Sequence, residues 1–185
     1  MGKNLGGGSA LSANDVWAYG RTGVDHWNGH TWTSTSVKRL LPPKQFLSNP
    51  AVSGIIALSA SNVYAVGNGN RQDAGGPIVV LHYNGHTWAR VAQRTFDSYG
   101  PGQQISADGQ GGLWLPLPGA SGSTSSLVHY AAGHLTRVPL PVNAPEITIE
   151  SVAHVPGTAQ ALAGGYTHAA HNPSHRIVAV VLQYR

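Results

Sequence analysis

Leu11-Ser12-Ala13-Asn14-Asp15-Val16-Trp17-Ala18-Tyr19-Gly20 returns 47 residues later as Leu58-Ser59-Ala60-Ser61-Asn62-Val63-Tyr64-Ala65-Val66-Gly67. A third copy opens 47 residues further on, at Ile105-Ser106-Ala107, and reaches its aromatic, Trp114, after three inserted residues. A fourth begins at Val152, again 47 on, and carries Ala161-Leu162-Ala163-Gly164 where the earlier copies have an aromatic. A second motif follows each first one. It reads His26-Trp27-Asn28-Gly29-His30-Thr31-Trp32, then His82-Tyr83-Asn84-Gly85-His86-Thr87-Trp88, then the weaker His129-Tyr130-Ala131-Ala132-Gly133-His134, and last Gln183-Tyr184-Arg185.

Each unit divides into four short apolar or alternating runs, a to d, separated by turn residues, which is the pattern of strands. In the second unit these are 54–59, 62–67, 78–83 and 86–91. Asn28-Gly29 and Asn84-Gly85 predict two-residue type I′ hairpin turns, which need a positive φ twice. Four antiparallel strands repeated every 40–50 residues make the blade of a propeller. The sequence therefore predicts an all-β chain: one β-propeller domain over 1–185, of about four four-stranded antiparallel blades. The blades fall at about 8–37, 54–92, 102–140 and 149–185, the last without its outer strand.

Composition agrees. Of 185 residues 41% are hydrophobic, only 10% charged, 24 are Gly and 12 Pro, as in a turn-rich β chain. There is no Cys, so disulfides and thiolate zinc sites are excluded. No run approaches the ~20 apolar residues of a membrane helix, so no membrane insertion is expected. The formal charge of +4 favours anionic partners mildly, but no Lys/Arg run or RNA-binding signature points to nucleic acid.

The two motifs resemble the SANDVWAVG and HWNGTTW repeats of bacterial, kelch-like propeller proteins of actinobacterial and chloroflexi type. The likeness is good in the first two units, partial in the third and poor in the fourth. It implies the propeller architecture and an extracellular or extracytoplasmic location, and it carries no catalytic residues.

The open outer position of the fourth blade leaves three expectations: a closed ring of four blades, part of a larger ring, or association of copies through unpaired edges. Recurring side chains are expected to be structural. His26, His82 and His129 should pack or hydrogen-bond between blades, Trp17, Tyr64 and Trp114 should fill the wedges, and Trp32 and Trp88 should be core.

Function should sit in the long b–c and d–a loops, at 38–53, 68–77, 93–102, 118–125, 141–148 and 165–175. That face gathers Arg21, Lys38, Arg39, Lys44, Arg71 and Arg94 against Asp73, Asp97 and Glu146, with Tyr99 and Tyr166 adding aromatic surface. The ligand-binding candidates are Arg21, Arg71, Asp73, Arg94, Tyr99 and Tyr166, and the expected partner is a protein or a glycan or other anionic ligand. No cofactor is expected. His168, His171 and His175 are the one metal candidate, a divalent ion, although Pro173 argues against the helix that would gather them. The leading functional expectation is a non-enzymatic binding, sensing or scaffold module. A self-assembling structural protein is the second, and a carbohydrate hydrolase or lyase the third. The third needs two facing carboxylates, and the loop acids lie on different blades. No nucleophile elbow, phosphate loop or zinc-protease motif is present.

Overall fold

The computed structural model describes residues 4–43, 49–69, 76–98, 104–118, 125–138, 147–158, 160–168 and 177–184, with the backbone alone at 168 and 177–180. Its strands form four antiparallel sheets in chain order. The first is β1 (Leu5–Ser12), β2 (Asp15–Gly20), β3 (Gly23–Trp27) and β4 (Trp32–Ser36). The second is β5 (Ala51–Ser59), β6 (Asn62–Asn68), β7 (Gly76–Tyr83) and β8 (Trp88–Phe96). The third is β9 (Ser106–Ala107), β10 (Leu113–Leu117), β11 (Ser126–Ala131) and β12 (His134–Val138). The fourth has three strands, β13 (Ile147–His154), β14 (Ala161–His168) and β15 (Ile177–Tyr184). These are propeller blades, as the repeat requires.

Side chains alternate between the two faces of a strand, so each blade has a leading face, turned toward the next blade, and a trailing face. The core lies between blades. Trp17, Tyr19 and Val24 of the first pack against Val63, Ala65 and Leu81 of the second. Val66 and Val80 of the second meet Leu113, Leu115 and Tyr130 of the third, and Trp114 and Leu127 of the third meet Ala163, Leu182 and Tyr184 of the fourth. No core cluster of described residues joins the fourth blade to the first.

One contact recurs in all three interfaces. The strand-b aromatic of one blade meets the strand-c aromatic of the next: Trp17 and Tyr83 at 5.1 Å between ring centroids, Tyr64 and Tyr130 at 5.8 Å, Trp114 and Tyr184 at 6.2 Å. Burial in the last of these pushes the Tyr184 phenol up to about 12. Trp17 also meets Trp88 edge-on at 6.0 Å. Offset and tilted pairs of this kind add to the area they bury.

The recurring histidines act within blades rather than between them. His26 Nε2 donates to Asp15 Oδ1 at 2.9 Å, His82 Nε2 to Asn62 Oδ1 at 2.9 Å, and His129 Nε2 to Asp108 Oδ2 at 2.8 Å. Each acceptor belongs to the a–b turn of the same blade. The rings lie against the strand-b aromatics, stacked on Trp17 at 4.0 Å and Trp114 at 4.2 Å and tilted on Tyr64 at 4.6 Å. Asp108 also accepts the amides of Gln110 and Gly112, both at 2.7 Å, which closes the inserted loop. The degenerate fourth blade keeps the hydrogen bond with other residues. Gln183 Nε2 donates to Gln160 Oε1 at 2.6 Å, and Leu162 occupies the aromatic position.

Two local expectations change. The Asn-Gly segments are not two-residue type I′ turns. The last strand pair is Trp27 with Trp32, and Tyr83 with Trp88, so four residues form each loop. The Asn28 carboxamide accepts the amides of His30 and Thr31, and Asn84 those of His86 and Thr87. With this Asx-type anchoring only Gly29 and Gly85 take positive φ, at 91° and 93°. The two-residue turn with two positive φ values occurs instead in the third blade, at Ala132 (48°) and Gly133 (82°). Trp32, expected in the core, is 52% exposed, because it stands on the trailing face of the first blade, where no described blade packs. Its counterpart Trp88 is packed against Trp17.

Candidate functional site

The b–c and d–a ends of the first two blades enclose a cleft of about 660 Å³. The two-residue β2–β3 turn supplies Arg21 and Thr22. A turn of 3-10 helix, Lys38–Leu40, supplies Lys38 and Arg39, and the chain beyond it supplies Leu41, Pro42 and Pro43. Asn49 and Pro50 lead into the second blade, and Arg90 projects from β8.

The backbone fixes this wall from both sides. Val37 N donates to Thr22 O at 3.0 Å, and Val52 N to Arg21 O at 2.9 Å, so the β2–β3 turn is tied to each flanking segment. Leu41 is buried and lies on Gly67 so closely that a Cβ there would stand 2.4 Å from Leu41 Cδ2. Only glycine permits that approach. The floor of Leu41 and the prolines therefore rests directly on strand b of the second blade. Arg90 is partly oriented by a 2.5 Å hydrogen bond from its guanidinium to Gln93 Oε1.

Four cationic side chains, Arg21, Lys38, Arg39 and Arg90, border the cleft, and its described lining includes no acid. Such a concave, basic, partly apolar surface attracts an anion and can pack its carbon skeleton at the same time. The forked guanidinium groups suit carboxylate, sulfate or phosphate oxygens.

Of the residues the sequence singled out, Arg21 lies in this cleft, with Lys38 and Arg39 of the same basic loop set. Arg94 does not lie in a loop. It pairs with Ile78 inside β8, its guanidinium donates to Leu135 O of the third blade at 2.7 Å, and it sits 5.3 Å from the Phe96 ring centroid. It is a strut between blades. The reason is that β8 continues to Phe96, past the expected end of strand d. Tyr166 likewise belongs to a strand, β14, opposite Thr148 and Ala179. Arg71, Asp73, Tyr99, His171 and His175 lie outside the described residues, as does the side chain of His168, whose backbone ends β14. Asp97 follows β8, and its carbonyl accepts from Arg137 at 3.4 Å. Among the described residues no cluster of three potential metal ligands occurs, and no helix is long and apolar enough to cross a membrane.

Sequence reasoning missed Arg90. The signal was present but weak: it stands two residues after Trp88, so it shares the trailing face with Trp88 and points toward the first blade.

The fold is similar to that of solved propeller lectins. An Aleuria aurantia lectin in complex with alpha-methyl-L-fucoside matches at a TM-score of 0.56 and 13% identity, over 92% of this chain and 55% of that one. The same lectin with Fucalpha1-6GlcNAc gives equal values. A structure of that fungal lectin described as a six-bladed β-propeller matches at 0.55 and 12%, over 90% and 53%. The chain spans about half the length of these lectins. At this identity the likeness is one of fold. No family model matches the chain, and no match to a curated protein is found.

Proposed function

We propose that this chain is a non-enzymatic binding propeller of an exported bacterial protein, related to the kelch-like repeat proteins its motifs resemble, and that it takes an anionic glycan in the cleft between its first two blades. The observation that carries this reading is the convergence of Arg21, Lys38, Arg39 and Arg90 on one apolar-floored cleft with no acid in its described lining. Fucose-binding lectins of the same fold lend support, because they show that such a scaffold serves sugar recognition. The four cations shift the expected ligand from a neutral sugar to one bearing sulfate or carboxylate groups. The described lining offers charge and hydrocarbon rather than the carboxylate pair that glycoside hydrolysis needs, which favours the binding reading over the hydrolytic one.

Calorimetric titration with a sulfated oligosaccharide and its desulfated counterpart tests the proposal. The sulfated sugar is expected to bind at least about tenfold more tightly, roughly 1.4 kcal/mol, with affinity falling as salt rises. Replacing both Arg21→Ser and Arg90→Ser should remove that preference. Equal affinity for the two sugars, or a preference that survives in the double variant, would overturn it.

A further inference from the structure

The two ends of the blade array carry the two halves of the interface that the chain already uses three times. Strand c of the first blade holds Trp27 at the position of Tyr83, Tyr130 and Tyr184, the three rings that receive the strand-b residue of a preceding blade. Trp27 and Trp32 are set at 5.7 Å and 39°. Tyr83 and Trp88, which receive Trp17, are set at 5.4 Å and 36°. The receiving pair is therefore formed in the first blade, with Trp32 half-exposed and Leu5 and Leu11 of β1 also exposed.

The fourth blade shows the complementary half. Leu162 stands in register with Trp17, Tyr64 and Trp114. In the second blade Ile56, one before the Ala57 amide that donates to Ser9 of the first blade, pairs with Tyr64, and in the fourth Ala153, one before the His154 amide that donates to Ser106 of the third, pairs with Leu162 in the same way. Leu162 is 39% exposed. Val181 pairs with Gly164 as Val24 pairs with Tyr19 and Val80 with Val66. Val24 and Val80 are at most 1% exposed, whereas Val181 is 72% exposed. An exposed valine at a position that is otherwise sealed by a following blade marks an unused docking face.

We propose that a second copy of this chain occupies these faces head to tail, its fourth blade seating Leu162 and Val181 on the Trp27–Trp32 pair of the first. The occupant is another copy because one chain holds both halves, and because every described inter-blade interface joins a leading face to a trailing one. Such a contact is heterologous: it closes into a ring if the rotation permits and otherwise extends.

Light scattering on a size-exclusion column should give twice the 19.3 kDa chain mass, or a higher multiple. Trp32→Asp and Val181→Asp, both at exposed positions, should each give a folded monomer, with the far-ultraviolet dichroism of the parent. Mixed one to one, the two variants should re-form a dimer weaker than the parent, because each retains the half the other has lost. A parent chain that is monomeric at every concentration overturns the proposal, including a monomer whose Trp27–Trp32 fluorescence responds to a sugar instead. Single variants that still associate overturn it too, as does a mixture that stays monomeric.

Discussion

The leading faces of the blades and the cleft between the first two obey different rules. On the leading faces, one hydrogen-bonded pair and one strand-b side chain recur in every blade, and even the fourth keeps the bond through Gln160 and Gln183. In the cleft recurrence is sparse. Among the described residues Arg21 and the 3-10 turn at Lys38–Leu40 have no counterpart in another blade, whereas Arg90 has one in Arg137, which pairs with Val128 as Arg90 pairs with Leu81. A residue that holds a blade appears once per blade, whereas three of the four cations of the proposed ligand cleft lack a counterpart among the described residues. On the proposed function, recurrence thus separates the work of folding from most of the work of binding without any aligned relatives.

The largest expected effect probes the repetitive side. Trp17→Ala removes a buried ring that meets His26, Tyr83 and Trp88 and should cost about 3–5 kcal/mol in urea unfolding. Leu162→Ala, at the equivalent place in the fourth blade but exposed, should cost under about 1 kcal/mol in the monomer. Equal losses would erase the distinction between an occupied and an unoccupied leading face.

Next comes Asp108. Burial by itself raises its carboxyl, but the hydrogen bond from His129, the amides of Gln110 and Gly112 and the charge of the imidazole outweigh burial, so the net shift is downward. A carboxylate depressed on folding stabilises above its unfolded value, near 3.9, and the contribution is lost as pH falls through the lower folded value. Asp108→Ala should cost roughly 1.5–3 kcal/mol at neutral pH. Asp108→Asn should flatten the acid limb of a stability–pH profile, and an unchanged limb would remove this group from the account. The smallest effect belongs to the other side of the comparison. Arg21→Ser with Arg90→Ser should leave unfolding within about 0.5 kcal/mol of the parent.

The fold was legible because the first three blades repeat a strand-b aromatic and a strand-c histidine in fixed register. Errors fell where a repeat meets a unique environment. Trp32 matches Trp88 in sequence, but only Trp88 has a packed blade in front of it. Asn28 and Asn84 read as positive-φ residues, yet their carboxamides bind two amides each and leave that conformation to glycine. The site was legible in part. Arg21, Lys38 and Arg39 stood out because the segments joining strands are where unique charge collects. Arg94 was misplaced by a strand longer than expected, and Arg90 was hidden because it reaches the cleft from within a strand.

The most direct test of the central claim, that binding belongs to the cleft between the first two blades, is backbone chemical-shift mapping with a sulfated oligosaccharide. The account predicts that the perturbed amides cluster at Arg21, Thr22, Lys38 to Leu41, Asn49 and Arg90. Shifts centred instead on the recurring positions around Asp15, Asn62 and Asp108, or on Trp27 and Trp32, would contradict it.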